Sequence, residues 1–108
     1  MGFKGRHIIS IDDFSKDEIL YILSVAKEMA KNKKPLLAGK IMATLFFEPS
    51  TRTRLSTEAA MNSLGGKVVG FADPHVSSHK KGETLQDTIR MVEQYSDVIV
   101  MRHYLDGA

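Results

Sequence analysis

The densest chemistry in the sequence is Ser50-Thr51-Arg52-Thr53-Arg54, which sets hydroxyl and guanidinium groups side by side. A hydroxyl offers an adjustable hydrogen bond, and the planar fork of arginine matches phosphate oxygens two at a time. Together they describe a site for a phosphorylated anion. Two more clusters carry similar groups: Ser77-Ser78-His79-Lys80-Lys81 and Arg102-His103. The route differs from the glycine loops, because no G-x-x-x-x-G-K-[ST] occurs and Gly65, Gly66 and Gly70 do not make G-x-G-x-x-G. The plainer alternative is that Ser50 or Thr51 only caps a helix while the arginines are solvated. On the residues alone both readings stand. His75 and His79 lie four apart on a loop without a third ligand, which is poor support for a metal.

These clusters need elements to position them. Ser15-Lys16-Asp17-Glu18 reads as a capping box, followed by Ile19, Ile22, Leu23, Ala26 and Met29 at helical spacing. Lys27, Lys31, Lys33 and Lys34 suit the end of that helix, where cations complement the dipole. After Pro35 and Gly39, residues 40–47 form a nearly continuous apolar run, as in a strand buried on both faces. Glu48-Pro49 ends it. Residues 51–64 read as a helix with Leu55, Ala59 and Leu64 on one side and a Gly65-Gly66 stop. Residues 67–71 make a second strand. A polar loop over 72–82 leads to a helix over 83–95, with Leu85, Ile89 and Val92 inward, and residues 97–102 make a third strand. Met42, Met61, Met91 and Met101 are expected in the core.

The order, a helix and then βαβαβ, predicts an α/β fold: a three-layer parallel sheet with right-handed connections. Ligands of such sheets bind beyond the carboxyl ends of the strands, where all three polar clusters fall. A three-stranded parallel sheet that stops after its third strand is expected to be incomplete, with uncovered edges.

Composition narrows the class. The 108 residues are 43% hydrophobic and 26% charged, as expected of a folded domain rather than a disordered chain. A formal charge of +2 is too small to argue for nucleic acid. The absence of cysteine removes disulfides and thiolate metal sites and fits a reducing compartment. The N-terminus lacks a signal-like apolar stretch, and the apolar run 41–47 is far short of the ~20 residues of a membrane span, so a cytoplasmic protein without membrane partners is expected.

Phe46-Phe47-Glu48-Pro49-Ser50-Thr51-Arg52-Thr53-Arg54 resembles the phosphate-loop signature of the aspartate and ornithine carbamoyltransferase family. Lys80-Lys81-Gly82-Glu83-Thr84 with Asp87-Thr88 is similar to the family's mobile loop and following helix. Val100-Met101-Arg102-His103 with Asp106-Gly107-Ala108 is similar to its third strand-end motif. Glu48-Pro49 and the Lys-Gly-Glu of the loop resemble the aspartate branch, whose dianionic substrate suits a lysine that cationic ornithine would not. Thr57, Tyr104 and His79 depart from the family pattern without removing a site residue.

The resemblance implies that residues 1–108 are the N-terminal portion of the carbamoyl-phosphate-binding domain. The aspartate-binding domain and a His-Pro-Thr-Gln segment are expected beyond residue 108, leaving this stretch alone inactive. It implies that Ser50, Thr51, Arg52, Thr53 and Arg102 hold carbamoyl phosphate, with Arg52, Thr53 and Arg102 catalytic. Ser77 and Lys81 would reach the aspartate site of a neighbouring subunit in a homotrimer, to which regulatory chains could attach. No cofactor or metal is implied. The implied reaction is carbamoyl phosphate plus L-aspartate giving N-carbamoyl-L-aspartate and phosphate, in pyrimidine (UMP) synthesis. The alternatives are transfer to another amino acid such as ornithine, or a non-catalytic anion-binding module. Left open are whether Arg54 pairs structurally or touches substrate, whether Glu48 pairs with Arg52 or Arg54, and whether His103 orients the pocket or only packs.

Overall fold

The computed structural model describes residues 2–72 and 85–103. These form two compact units, one up to Lys33 and one from Lys34 onward. The second unit is built on strand β1 (Ile41–Phe46), flanked by β2 (Lys67–Phe71) and β3 (Val98–Arg102) in the order β2-β1-β3. Both pairings are parallel, aligning Leu45 with Phe71 and Phe46 with Arg102. This register brings the carboxyl ends of all three strands to one edge.

The central strand is buried from Met42 onward, as its continuous apolar sequence requires. Side chains alternate across a strand. Ala43, Leu45 and Phe47 turn to one face, where they pack with Val92, Leu85 and Ile89 of α3 (Leu85–Val92). Phe71 closes that face with an edge-on contact to Phe47, centroids 5.1 Å apart. Met42, Thr44 and Phe46 take the opposite face, where Thr44 meets Glu58 of α2 (Thr51–Ser63). Helix, sheet and helix therefore make the expected three layers. Each large apolar side chain buried on β1 contributes about 1.5–3 kcal/mol relative to exposure.

Helix α2 stops where its glycines predict. Gly66 N–H donates to Met61 C=O and Gly65 N–H to Asn62 C=O, at 3.0 and 3.1 Å, with Gly65 at φ 87°. This pair of bonds satisfies carbonyls that the helix end leaves without partners. At the amino edge of the sheet, Asp97 accepts from Ile41 N–H through Oδ2 at 2.9 Å, while its own N–H donates to Ile41 C=O. The carboxylate thus ties β3 to β1 instead of extending the strand.

In the first unit, α1 (Lys16–Lys31) begins at the predicted capping box. Ser15 accepts from Glu18 N–H at 3.1 Å and Glu18 accepts from Ser15 N–H at 2.9 Å. Arg6 pairs with Glu18 and lies over the rings of Phe3 and Phe14. The bond from Ser15 N–H first, and the Arg6 bond second, hold the Glu18 carboxyl below its ordinary range.

Several expected inward residues are not inward. No residue of α1 is buried, with Leu23 at 60% exposure. Leu55 and Ala59 are exposed on α2, where Met61 is the buried residue. Met42 and Met61 are in the core and Met101 packs against it, but Met91 is exposed on α3. Helical spacing groups residues on a face without specifying what covers that face.

Gly70 lies so close to β1 that an added Cβ would fall 2.1 Å from Thr44 C=O. Backbone cannot yield as a flexible side chain can, so Gly70→Ala should lower stability by about 1–3 kcal/mol, seen as a lower urea midpoint. Ionised Glu18 contributes stability above the ordinary glutamate pKa that is lost as pH falls through its lowered folded value. Protection of the amides at the start of α1, measured relative to their intrinsic exchange rate, should therefore fall as pH drops through the acid range in the native protein and change much less in Glu18→Gln.

Candidate functional site

The site stands at the carboxyl edge of the sheet, where β1 runs out through Phe47, Glu48 and Pro49 into the start of α2. Ser50 occupies the N-cap position with φ −157° and ψ 73°, yet its side chain makes no capping hydrogen bond. Instead, Ser50 Oγ accepts from Nη1 of Arg102 at 2.9 Å. The reading in which Ser50 merely caps the helix therefore fails, and the first N–H groups of α2 keep their capacity for an anion. Thr51, Arg52 and Thr53 form the exposed first turn.

Arg102 reaches this turn because of its register. It pairs with Phe46 across the sheet, and its C=O accepts from Phe47 N–H at 2.8 Å. Its Nε lies 3.6 Å from Glu48 Oε2, a half-exposed pair that steers more than it stabilises. Glu48, whose partner the sequence leaves open between Arg52 and Arg54, therefore pairs with Arg102, since the strand-end register sets Glu48 beside β3.

Arg54 turns away from the exposed face of the turn. Its Nε donates to Glu58 Oε2 at 3.0 Å, one helical turn along. The same oxygen accepts from Thr44 Oγ1 at 2.8 Å. Arg54 also helps line a pocket of about 220 Å³ with Phe46, Pro49, Ser50, Thr51 and Ala72. Sequence reading missed Glu58 and Thr44. Their signals were the four-residue step from Arg54 to Glu58 and a lone hydroxyl within an apolar strand.

His103 stands against Phe47, ring centroids 4.8 Å apart, so it packs at the strand end. Thr57 donates from Oγ1 to Thr53 C=O at 2.8 Å, bracing the first turn. Of the predicted site residues, the fold gathers Ser50, Thr51, Arg52, Thr53 and Arg102 at one edge. Ser77 and Lys81, with His75 and His79, lie outside the described residues. Among the described residues no cluster of three metal-ligating side chains occurs, and no helix is long and apolar enough to cross a membrane.

Known proteins resemble this chain in sequence and in fold. Residues 6–108 match the family described as aspartate/ornithine carbamoyltransferase, carbamoyl-P binding domain. The aspartate carbamoyltransferase catalytic subunit of Bacteroides fragilis is 58% identical over 106 residues, 97% of this chain and 34% of that protein. That of Thermococcus kodakarensis is 58% identical over 113 residues, 100% of this chain and 36% of that protein. Among solved structures, the catalytic subunit of M. jannaschii aspartate transcarbamoylase superposes with TM-score 0.85 at 52% identity, covering 94% of this chain and 35% of that one. Aspartate transcarbamoylase from Trypanosoma cruzi, in complex with carbamoyl phosphate and aspartate, gives TM-score 0.84 at 48% identity over 93% and 34%. The chain spans about a third of the length of these relatives. With Ser50 to Thr53 and Arg102 set at the carboxyl edge of a parallel sheet, the chain belongs to the aspartate/ornithine carbamoyltransferase family, through its carbamoyl-phosphate-binding domain.

Proposed function

We propose that this chain supplies the carbamoyl-phosphate half of an aspartate carbamoyltransferase, transferring the carbamoyl group to L-aspartate in pyrimidine synthesis. The observation that carries the reading is the Ser50–Arg102 bond, which joins the two cationic clusters at an uncapped helix start. The aspartate branch is supported by relatives named for aspartate at 58% identity.

In this reading Ser50, Thr51, Arg52 and the first N–H groups of α2 bind the phosphate. Thr53 and Arg102 donate to the carbamoyl oxygen. As the aspartate amine attacks the carbonyl carbon, negative charge grows on that oxygen, and donors already in place stabilise it without rearranging. One such donor is worth about 3–4 kcal/mol in the transition state. Arg52 offsets charge on the departing phosphate. We assign Lys81 and Ser77 to aspartate in a neighbouring subunit of a homotrimer with shared sites, and place the enzyme in the cytoplasm.

In the full-length enzyme Arg52→Ala should lower turnover by about two orders of magnitude or more, and Arg52→Lys should recover it only in part because a point charge cannot replace the fork. Near-normal turnover of Arg52→Ala in a steady-state assay rejects the assignment. Mixing inactive Lys81→Ala and Arg52→Ala chains should restore activity, because a hybrid trimer can assemble an intact site across one interface. Background activity in hybrids verified by native mass measurement places Lys81 in its own subunit's site.

A further inference from the structure

The residue that the carbamoyl-transfer reading leaves without a role is Glu58. It lies one turn after Arg54 on α2, so both side chains share a helix face. Its Oε2 accepts two hydrogen bonds, from Thr44 Oγ1 at 2.8 Å and from Arg54 Nε at 3.0 Å. Thr44 is fully buried in the middle of β1 and is the polar side chain of that strand. A buried hydroxyl without a partner is costly, which makes the Thr44 bond a strong constraint on where Glu58 can sit. The Glu58 side chain is 19% exposed and that of Arg54 36%, so the ion pair is partly shielded from water.

β2 is tied to the same point. A Cβ on Gly70 would fall 2.4 Å from Thr44 Oγ1 and 2.1 Å from Thr44 C=O. The glycine leaves the space in which the threonine hydroxyl turns towards α2. One carboxylate oxygen thereby connects the buried middle of the sheet to the first turn of the helix. Arg54 is part of that turn and lines the pocket beside Ser50 and Thr51.

We infer that Glu58 is a positioning residue of the phosphate site: bonded to Thr44 and Arg54 at once, it locks the first turn of α2 in register on β1 and so fixes Ser50 to Thr53 for an incoming phosphate. The inference rests on the phosphate-binding role of that turn. It differs from a general anchoring role because Asp97 provides such an anchor at the far edge of the sheet. Asp97 also uses one carboxylate oxygen to hold β1, at 2.9 Å from Ile41 N–H, but away from the site. Losing Asp97 should loosen the sheet without moving the phosphate turn in particular.

The test measures inorganic phosphate affinity by calorimetry in the full-length protein, with a melting curve for each variant. Glu58→Ala should weaken binding about tenfold, the scale of a lost charge-assisted hydrogen bond, and clearly more than Asp97→Ala. Glu58→Gln keeps an oxygen that can accept both bonds and should stay within about threefold of the native protein. Because Arg54 and Glu58 are bonded to each other, Glu58→Ala should cost less in an Arg54→Ala background than in the native one, the loss of the Thr44 bond making up what remains. If Glu58→Ala does not fold, Thr44→Val carries the question, since it removes one donor at nearly constant shape and should weaken phosphate binding while Thr44→Ser does not. Equal losses in Glu58→Ala and Asp97→Ala, independent effects of Arg54 and Glu58, or native affinity in Thr44→Val each overturn the inference. Arg52→Ala is the separating control. Unchanged phosphate affinity there overturns the phosphate reading itself and the role of Glu58 with it, whereas loss there with native affinity in Glu58→Ala overturns the Glu58 role alone.

Discussion

Everything at the site hangs on the burial of β1 from Met42 onward. A strand covered on both faces and paired on both edges cannot slide, because a one-residue slip would turn Ala43, Leu45 and Phe47 to the wrong helix and send Thr44 into apolar packing. Its carboxyl end is therefore a fixed point, and the chain leaving it at Glu48-Pro49 begins α2 from a defined place. The parallel pairing with β3 fixes Arg102 as firmly, two residues back from Glu48 in register.

From this constraint the polar chemistry follows. A buried strand tolerates a hydroxyl only if a partner is provided, and α2 provides Glu58. That carboxylate takes up Arg54 from the start of the same helix. The outcome is a division of labour between neighbouring guanidinium groups: Arg54 is tied to Glu58 and partly shielded while Arg52 is left at the surface of the turn. Arg102, held by Ser50 and Glu48, remains half exposed, where a small anion can compete for its donors. A cation that is paired but not buried is ready to exchange partners.

Much of this was legible in advance. The apolar run at 40–47, the Gly65-Gly66 stop and the Ser15 capping box each predict their element within a residue or two, because each is a local rule with a strong energetic cause. The helix faces were read less well. Leu55 and Met91 satisfy helical spacing but are exposed, since spacing says which residues lie together and burial depends on what the chain brings against them. The partner of Glu48, left open between Arg52 and Arg54 by the sequence, is Arg102, because pairing across the sheet outweighs proximity along the chain.

The sequence by itself determined the kinds of group available, their order, and the alternation of strands and helices that sends Ser50 to Thr53 and Arg102 to the same edge. Those are properties of residue type and period, which need no knowledge of distant contacts. Tertiary structure alone decided which guanidinium meets which carboxylate. Thr44 and Glu58 are separated by a strand end, a loop and the first turns of α2, and Ser50 and Arg102 by α2, β2 and α3. Bonds between such partners depend on parallel register and on the direction a side chain leaves its element, and both are set by packing the buried strand rather than by any local pattern.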